Sequence, residues 1–252
     1  MTLWDASGRV KIERAKEHIS QLDIASREFF DTNPYEVRFE PDRELEGYVV
    51  RIVQRELAPS LRWSAITADA VHNLRSSLDI LWRMAIHGKV RTTRRAYFPI
   101  YDTAEEFKAR QWGEPQRPNV RAAVDILAAT KPYKGGNDAL WALHALDTRD
   151  KHEMLTLTVG TFRSLLIKAF PDTTIYMQPE DFLSPVEDGA VMSRLAPDIT
   201  TIPVDMHHEF VFEVTFAQGE ILEGEAVLPT LHQFANMVDG IVDAFATAQL
   251  LT

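Results

Sequence analysis

The sequence predicts an α+β fold: a helical portion with an N-terminal β-hairpin, packed with an antiparallel sheet and closed by a C-terminal helix. Three observations predict it. Apolar residues recur at helical spacing near the N-terminus and again over residues 61–87. Period-two alternation marks residues 35–54 and much of 154–228. Helical spacing then returns from Pro229. Helices grouped before strands point to α+β, whereas a doubly wound parallel sheet would alternate them regularly.

From Arg9 to Phe30, Val10, Ile12, Ala15, Ile19, Leu22 and Phe29 supply one apolar helix face, and Asn33-Pro34 ends it. Tyr35–Glu40 and Tyr48–Gln54 alternate as strands around a turn at Pro41–Gly47, which makes an antiparallel hairpin. Pro59-Ser60 opens a long helix over 61–87, with Gly88 as its C-cap. Tyr97–Ile100 is a short extended piece. Thr103 caps a short helix, and Glu106 at its third position completes a capping box. Asn119–Thr130 forms another helix, ended by Lys131-Pro132 and Gly135-Gly136. Asn137 or Asp138 caps the next helix, which reads on toward Met154. Strands follow at 154–162, 164–170 and 173–177, with a turn near Gly160. Residues 180–197 read as an acidic loop, 208–216 as one long strand and 224–228 as a short strand. Pro229 opens the last helix, on which Leu231, Phe234, Met237, Val238, Ile241, Val242 and Phe245 are apolar. No repeat, low-complexity segment or linker interrupts the chain, which therefore reads as a single domain over 1–252. Its helical motif region lies at about 60–153, its mainly β region at about 154–228 and its C-terminal helix at about 229–250.

The chain has 252 residues, of which 45% are hydrophobic and 25% charged, enough to bury a core without covalent staples. It has no cysteine, which excludes disulfides, thiol catalysis and cysteine-held metal. A net charge of −10 disfavours broad binding to nucleic acid. The one basic cluster, Lys89–Arg95, reads as a solvated loop. The N-terminus shows no apolar signal region, and no stretch approaches the roughly 20 apolar residues that span a bilayer. The expected location is the cytoplasm, away from membranes. A homo-oligomer is open, since the apolar C-terminal helix can close a core or pair with another chain.

Two helices carry the residues that could do chemistry. On the first, Leu74, Leu78, Leu81 and Ala85 form a core face, while His72, Arg75, Ser76, Asp79 and Arg83 form a polar stripe beside it. Lys and Glu, the usual occupants of a solvent face, are absent from that stripe. On the second, His144, Asp147 and Lys151 share a face with Leu140, Leu143 and Met154. Polar groups inside an apolar stripe need partners, because burying one unpaired costs about 1–3 kcal/mol. One reading is structural: a network such as Asp147 with Arg75 that ties the helices together. The other is an acid/base site built from His72, Arg75, Asp79, His144, Asp147, Lys151 and His152. A metal could draw on His72, Asp79, His144 and Asp147. The sequence names no cofactor: GxGxxG, Walker A, GxSxG and HExxH are absent, and Lys134-Gly-Gly136 is too short for a phosphate loop.

The pair His72-Asn-Leu-Arg-Ser-Ser-Leu-Asp79 and Leu143-His-Ala-Leu-Asp-Thr-Arg-Asp-Lys-His152, with Phe98-Pro-Ile100 between them, resembles a widespread family of uncharacterised bacterial proteins. Its motifs run approximately HNLRSALDH and LxxLxxxDKHR, and the resemblance covers roughly residues 65–160. Ile80 stands where that family often has His, and Glu153 where it often has Arg. The resemblance implies no activity. A remoter similarity is to HEPN-type helical domains, many of them metal-independent RNases that carry Arg, four to six residues, then His. Here three residues separate Arg83 from His87 and two separate Arg149 from His152, so that motif is not matched. Three functions follow as expectations. The first is a structural polar core beside a ligand or partner surface. The second is a metal-independent phosphodiester hydrolase, with His144 or His152 as acid/base and Arg75 or Lys151 on the phosphate. The third is a metal-dependent hydrolase on the same His and Asp residues.

Overall fold

A computed structural model describes residues 3–42, 47–87, 97–110, 118–161, 165–169, 173–177, 186, 188–189, 191–195, 208–209, 212–248 and 250. The helices are α1 (Leu3–Asp31), α2 (Ser60–His87), α3 (Ala104–Ala109), α4 (Pro118–Ala129), α5 (Asp138–Asp150) and α6 (Val227–Thr247). The strands are β1 (Tyr35–Asp42), β2 (Gly47–Gln54), β3 (Leu157–Thr161), β4 (Leu165–Ala169), β5 (Thr173–Met177), β6 (Val191–Leu195), β7 (His208–Glu209) and β8 (Phe212–Phe216). The fold is α+β. The chain forms two compact units: Met1–Leu22 with Ser64–Leu155 and Leu228–Thr252, and Asp23–Trp63 with Thr156–Val227.

The first unit is helical. Its core takes Ile12, Ile19 and Leu22 from α1, Leu74 and Leu78 from α2, and Leu140, Leu143 and Leu146 from α5, all buried. The apolar stripe of α6 is buried here too: Leu231, Phe234, Val238, Ile241, Val242 and Phe245. That stripe therefore closes a core within the chain. Pro229 lies in the first turn of α6, where its missing N–H leaves no helical bond unmade. Polar ties join the helices: Ser77 Oγ donates to the Gly8 carbonyl at 2.9 Å, and Lys11 Nζ to Asn73 Oδ1 at 3.0 Å. Thr103 caps α3 as expected, accepting from the Glu106 N–H at 3.1 Å. The return bond of the capping box falls one residue early, from the Asp102 N–H to Glu106 Oε2 at 3.2 Å. Among the described residues no helix is long and apolar enough to cross a membrane.

Among its described residues the second unit holds three small antiparallel sheets, ordered β1-β2-β6, β3-β8 and β5-β4-β7. Aromatic rings fill part of its core: Phe29 meets Trp63 edge-on at 5.3 Å between centroids, and Tyr35 lies 4.6 Å from Phe212. Burial pushes the Tyr35 hydroxyl up to about 12.

The structure departs from the sequence expectations at several points. Gly160 is not a turn residue: it sits inside β3 opposite Glu213. A Cβ there would meet Thr215 Cγ2 at 2.6 Å, so the glycine marks a close cross-strand approach. The 180–197 stretch is not all loop, because Val191–Leu195 forms β6 and pairs with β2. Of the strand expected over 208–216, His208–Glu209 pairs with β4 and Phe212–Phe216 with β3, and residues 210–211 lie outside the described residues. The short strand at 224–228 shrinks to isolated bridges, Thr215 with Ala226 and Phe216 with Glu223. α5 stops at Asp150, so Met154 lies beyond it and is 52% exposed instead of sharing its inner face. The Gly88 cap and the basic Lys89–Arg95 segment lie outside the described residues.

Candidate functional site

α5 is set in place by local chemistry. Asn137 accepts from the Leu140 N–H at 3.0 Å, the N-cap bond that its side chain is suited to make. Asp138 Oδ1 accepts from the Gly135 N–H at 2.6 Å, which closes the turn before the helix. The turn is tight: a Cβ on Gly136 would stand 2.8 Å from the Lys131 carbonyl oxygen. The buried residues of α5 are Leu140, Ala142, Leu143, Leu146 and Asp147. Asp147 is thus a carboxylate in an otherwise apolar stripe, and it must be partnered.

The structure brings together six of the seven predicted residues, in two linked groups. The inner group is anchored by Arg75, whose side chain is 5% exposed. Its guanidinium binds three ways: to Asp79 Oδ1, to the Phe98 carbonyl at 2.9 Å, and from Nε to His144 Nδ1 at 3.3 Å. Asp79 Oδ1 in turn accepts from the Phe98 N–H at 2.8 Å. Two side chains one turn apart on α2 thereby satisfy both backbone groups of Phe98, as a neighbouring strand would. The Phe98 ring is itself buried and meets Trp82 edge-on at 6.0 Å.

Burial raises the Asp79 carboxyl above its ordinary value, a desolvation that outweighs the Arg75 charge and the Phe98 N–H. His144 moves the other way. Burial disfavours its imidazolium most, and the adjacent Arg75 charge adds to this, so its pKa is lowered. The hydrogen bond agrees with that direction. Arginine can only donate, so His144 Nδ1 accepts and the ring proton belongs on Nε2. His144 is therefore a neutral ring offering an N–H, with no lone pair at Nε2 for a general base.

The outer group is built on Asp147. Its Oδ1 faces His72 Nδ1 at 2.9 Å, and its Oδ2 pairs with Lys151 Nζ one turn along α5. Asp147 is 3% exposed, whereas His72 is 56% and Lys151 52% exposed. A buried carboxylate thus holds two water-facing groups. With Nδ1–H donated to Asp147, the neutral His72 ring carries its lone pair on Nε2. Ser76 Oγ lies 3.4 Å from that Nε2, one helical turn further along α2.

The pairing of Asp147 with Arg75 suggested by the sequence is not made: Asp147 takes His72 and Lys151, and Arg75 takes Asp79, Phe98 and His144. His152 stands apart. It lies exposed past the end of α5, its backbone N–H donates to the Arg149 carbonyl at 2.9 Å, and among the described residues its side chain makes no bond to the cluster. Two contributors fall outside the predicted set. The Phe98 backbone has no side-chain signature to betray it. Ser76 does have one: it sits on the polar stripe four residues after His72. Among the described residues no group of three or more His, Asp or Glu side chains is placed to hold a metal ion. The would-be ligands Asp79 and Asp147 each face a cation instead.

No family model, no curated protein and no solved structure matches this chain.

Proposed function

We propose that the α2–α5 cluster is the site of a metal-independent hydrolase, in which His72 is the acid/base and Arg75 a structural bolt. The observation that carries this reading is the contact from His72 Nδ1 to a buried Asp147, which leaves an exposed ring with its lone pair on the outer nitrogen. A polar network that served packing alone would have no need to keep its histidine in water. Both roles expected of the cluster then find a place. The inner half holds the fold, and the outer half meets a ligand. The roles differ from the phosphodiester expectation, because His144 has no lone pair to offer at its outer nitrogen and Arg75 is buried with each guanidinium nitrogen already bonded inside the cluster.

Acylation by diethyl pyrocarbonate, followed at each histidine by mass spectrometry, tests the reading. His72 should react several-fold faster than His152 and His232, which are also exposed. Asp147→Asn should bring it down to their rate, with the helical circular dichroism unchanged. If His72 reacts no faster than those two in the unaltered protein, the acid/base assignment falls and the cluster is scaffold.

A further inference from the structure

The contacts continue one group beyond His72, and they do so in a chemically ordered way. Asp147 Oδ1 accepts from His72 Nδ1 at 2.9 Å, and Ser76 Oγ stands 3.4 Å from His72 Nε2. The 3.4 Å contact is long, as catalytic hydrogen bonds often are before substrate binding tightens them. Ser76 is half-buried, His72 exposed and Asp147 buried. The orienting carboxylate thus lies in the core, and the Ser76–His72 contact lies at the surface. We propose that Ser76, His72 and Asp147 form a nucleophile–base–orienter relay for acyl transfer, and that its substrates are neutral carboxylic esters. This deepens the hydrolase reading and rests on it.

The substrate class follows from charge. Each guanidinium nitrogen of the buried Arg75 makes a bond within the cluster, and Lys151 is paired with Asp147. The cluster's two cations are thus matched by two carboxylates, Asp79 and Asp147. A phosphodiester would bring a negative charge that, among the described residues, neither of these two paired cations is placed to neutralise, inside a chain of net charge −10. A neutral ester brings none.

The chemistry balances without a further reagent. Ser76 Oγ bonds to the ester carbonyl carbon as its proton passes to His72 Nε2. The carbon–oxygen bond to the alcohol breaks, and the leaving oxygen takes the proton from His72. Water then adds to the acyl-serine, giving its proton to His72 Nε2. The bond to Ser76 Oγ breaks, that oxygen recovers the proton, and a carboxylic acid departs. Asp147 is a positioning residue that holds the His72 tautomer.

A biotinylated fluorophosphonate, which captures activated serines, tests the relay on the full chain. Mass spectrometry should place the adduct on Ser76. His72→Ala should slow labelling about 100-fold or more, the scale of a lost general base. Asp147→Asn should slow it as well and shift the His72 ring ¹⁵N resonances toward the other tautomer, a change that simple loosening of the fold would not produce. The unaltered protein should hydrolyse p-nitrophenyl butyrate in EDTA far faster than bis-p-nitrophenyl phosphate, and Ser76→Ala should abolish the ester turnover. An unlabelled Ser76 in a protein whose His72 is hyper-reactive to diethyl pyrocarbonate overturns the relay and leaves the acid/base site standing. Labelling of Ser76 that ignores His72→Ala also overturns it. Faster cleavage of the phosphodiester overturns the substrate class.

Discussion

At the residue scale, the decisive contrast is between two histidines on the same pair of helices. His72 is exposed and donates inward; His144 is half-buried and accepts from an arginine. Their opposite hydrogen bonds give them opposite chemistry, although both are simply His on a helix face in the sequence. A pH dependence follows for His144. Its folded pKa lies below the ordinary 6.5, so between the two values the unfolded chain binds more protons than the folded one. Stability from this group is complete above 6.5 and is lost as pH falls through 6.5 toward the lowered value. Urea unfolding at pH 7.5 and pH 5.5 should show a drop in stability that His144→Gln reduces. An equal drop in that variant would mean that other groups cause it. Arg75 supports a second prediction. Arg75→Met strips the partner from a half-buried Asp79 and from the Phe98 carbonyl, so it should cost about 3–5 kcal/mol, as breaking a buried pair does. A loss below 1 kcal/mol in denaturant titration would place Arg75 in a far more solvated site than its 5% exposure describes.

At the element scale, the helices were far more legible in the sequence than the strands. A long helix repeats its signal every three to four residues, so the apolar faces of α1, α2 and α6 are over-determined. The cap chemistry of Thr103 and Asn137 is local and was equally readable. A strand of five residues such as β6 has too few alternations to stand out, which is why 180–197 reads as loop although Val191–Leu195 pairs with β2. The same limit hides the site's wiring. Spacing on one helix showed that His72, Arg75 and Asp79 share a stripe, but the partner each one takes on α5 depends on helix rotation, which no one-dimensional pattern contains. Two substitutions test the elements themselves. Asn137→Ala removes the α5 cap and should cost about 1 kcal/mol. Because α5 carries Asp147, the cap loss should also speed amide exchange around the cluster. Gly160→Ala drives a methyl into Thr215 and should cost about 1–3 kcal/mol through overpacking. Thr215→Ala in the same chain should recover much of that loss. A double variant no more stable than Gly160→Ala would mean that backbone strain, not the threonine side chain, is the obstacle.

At the scale of the whole molecule, the helical unit is assembled from three stretches of chain distant in sequence, the last of which brings α6. Two kinds of interaction hold α6 there, and their magnitudes are far apart. Lys16 pairs with Asp239 at 2.8 Å and Arg9 with Asp243 at 2.7 Å, but these side chains are 30–64% exposed. Such pairs are each worth roughly 0–1 kcal/mol. Burial of Leu231, Phe234, Val238, Ile241, Val242 and Phe245 contributes about 1.5–3 kcal/mol for each side chain. Even discounted for a compact unfolded chain, that is comparable to the roughly 5–15 kcal/mol by which a whole domain is stable. The apolar stripe, not the ion pairs, must therefore decide whether this unit exists. Asp239→Asn with Asp243→Asn should leave the unfolding midpoint nearly unchanged, and raised salt should do little more. Phe234→Ala should cost about 3–5 kcal/mol, the scale of a buried phenyl group lost to a cavity. A chain ending at Ala226 should lose cooperative unfolding of the helical unit, and with it any special reactivity of His72, which resides on α2 in that unit. If the shortened chain kept both, α6 would be an appendage and its buried face would contribute far less than its area implies.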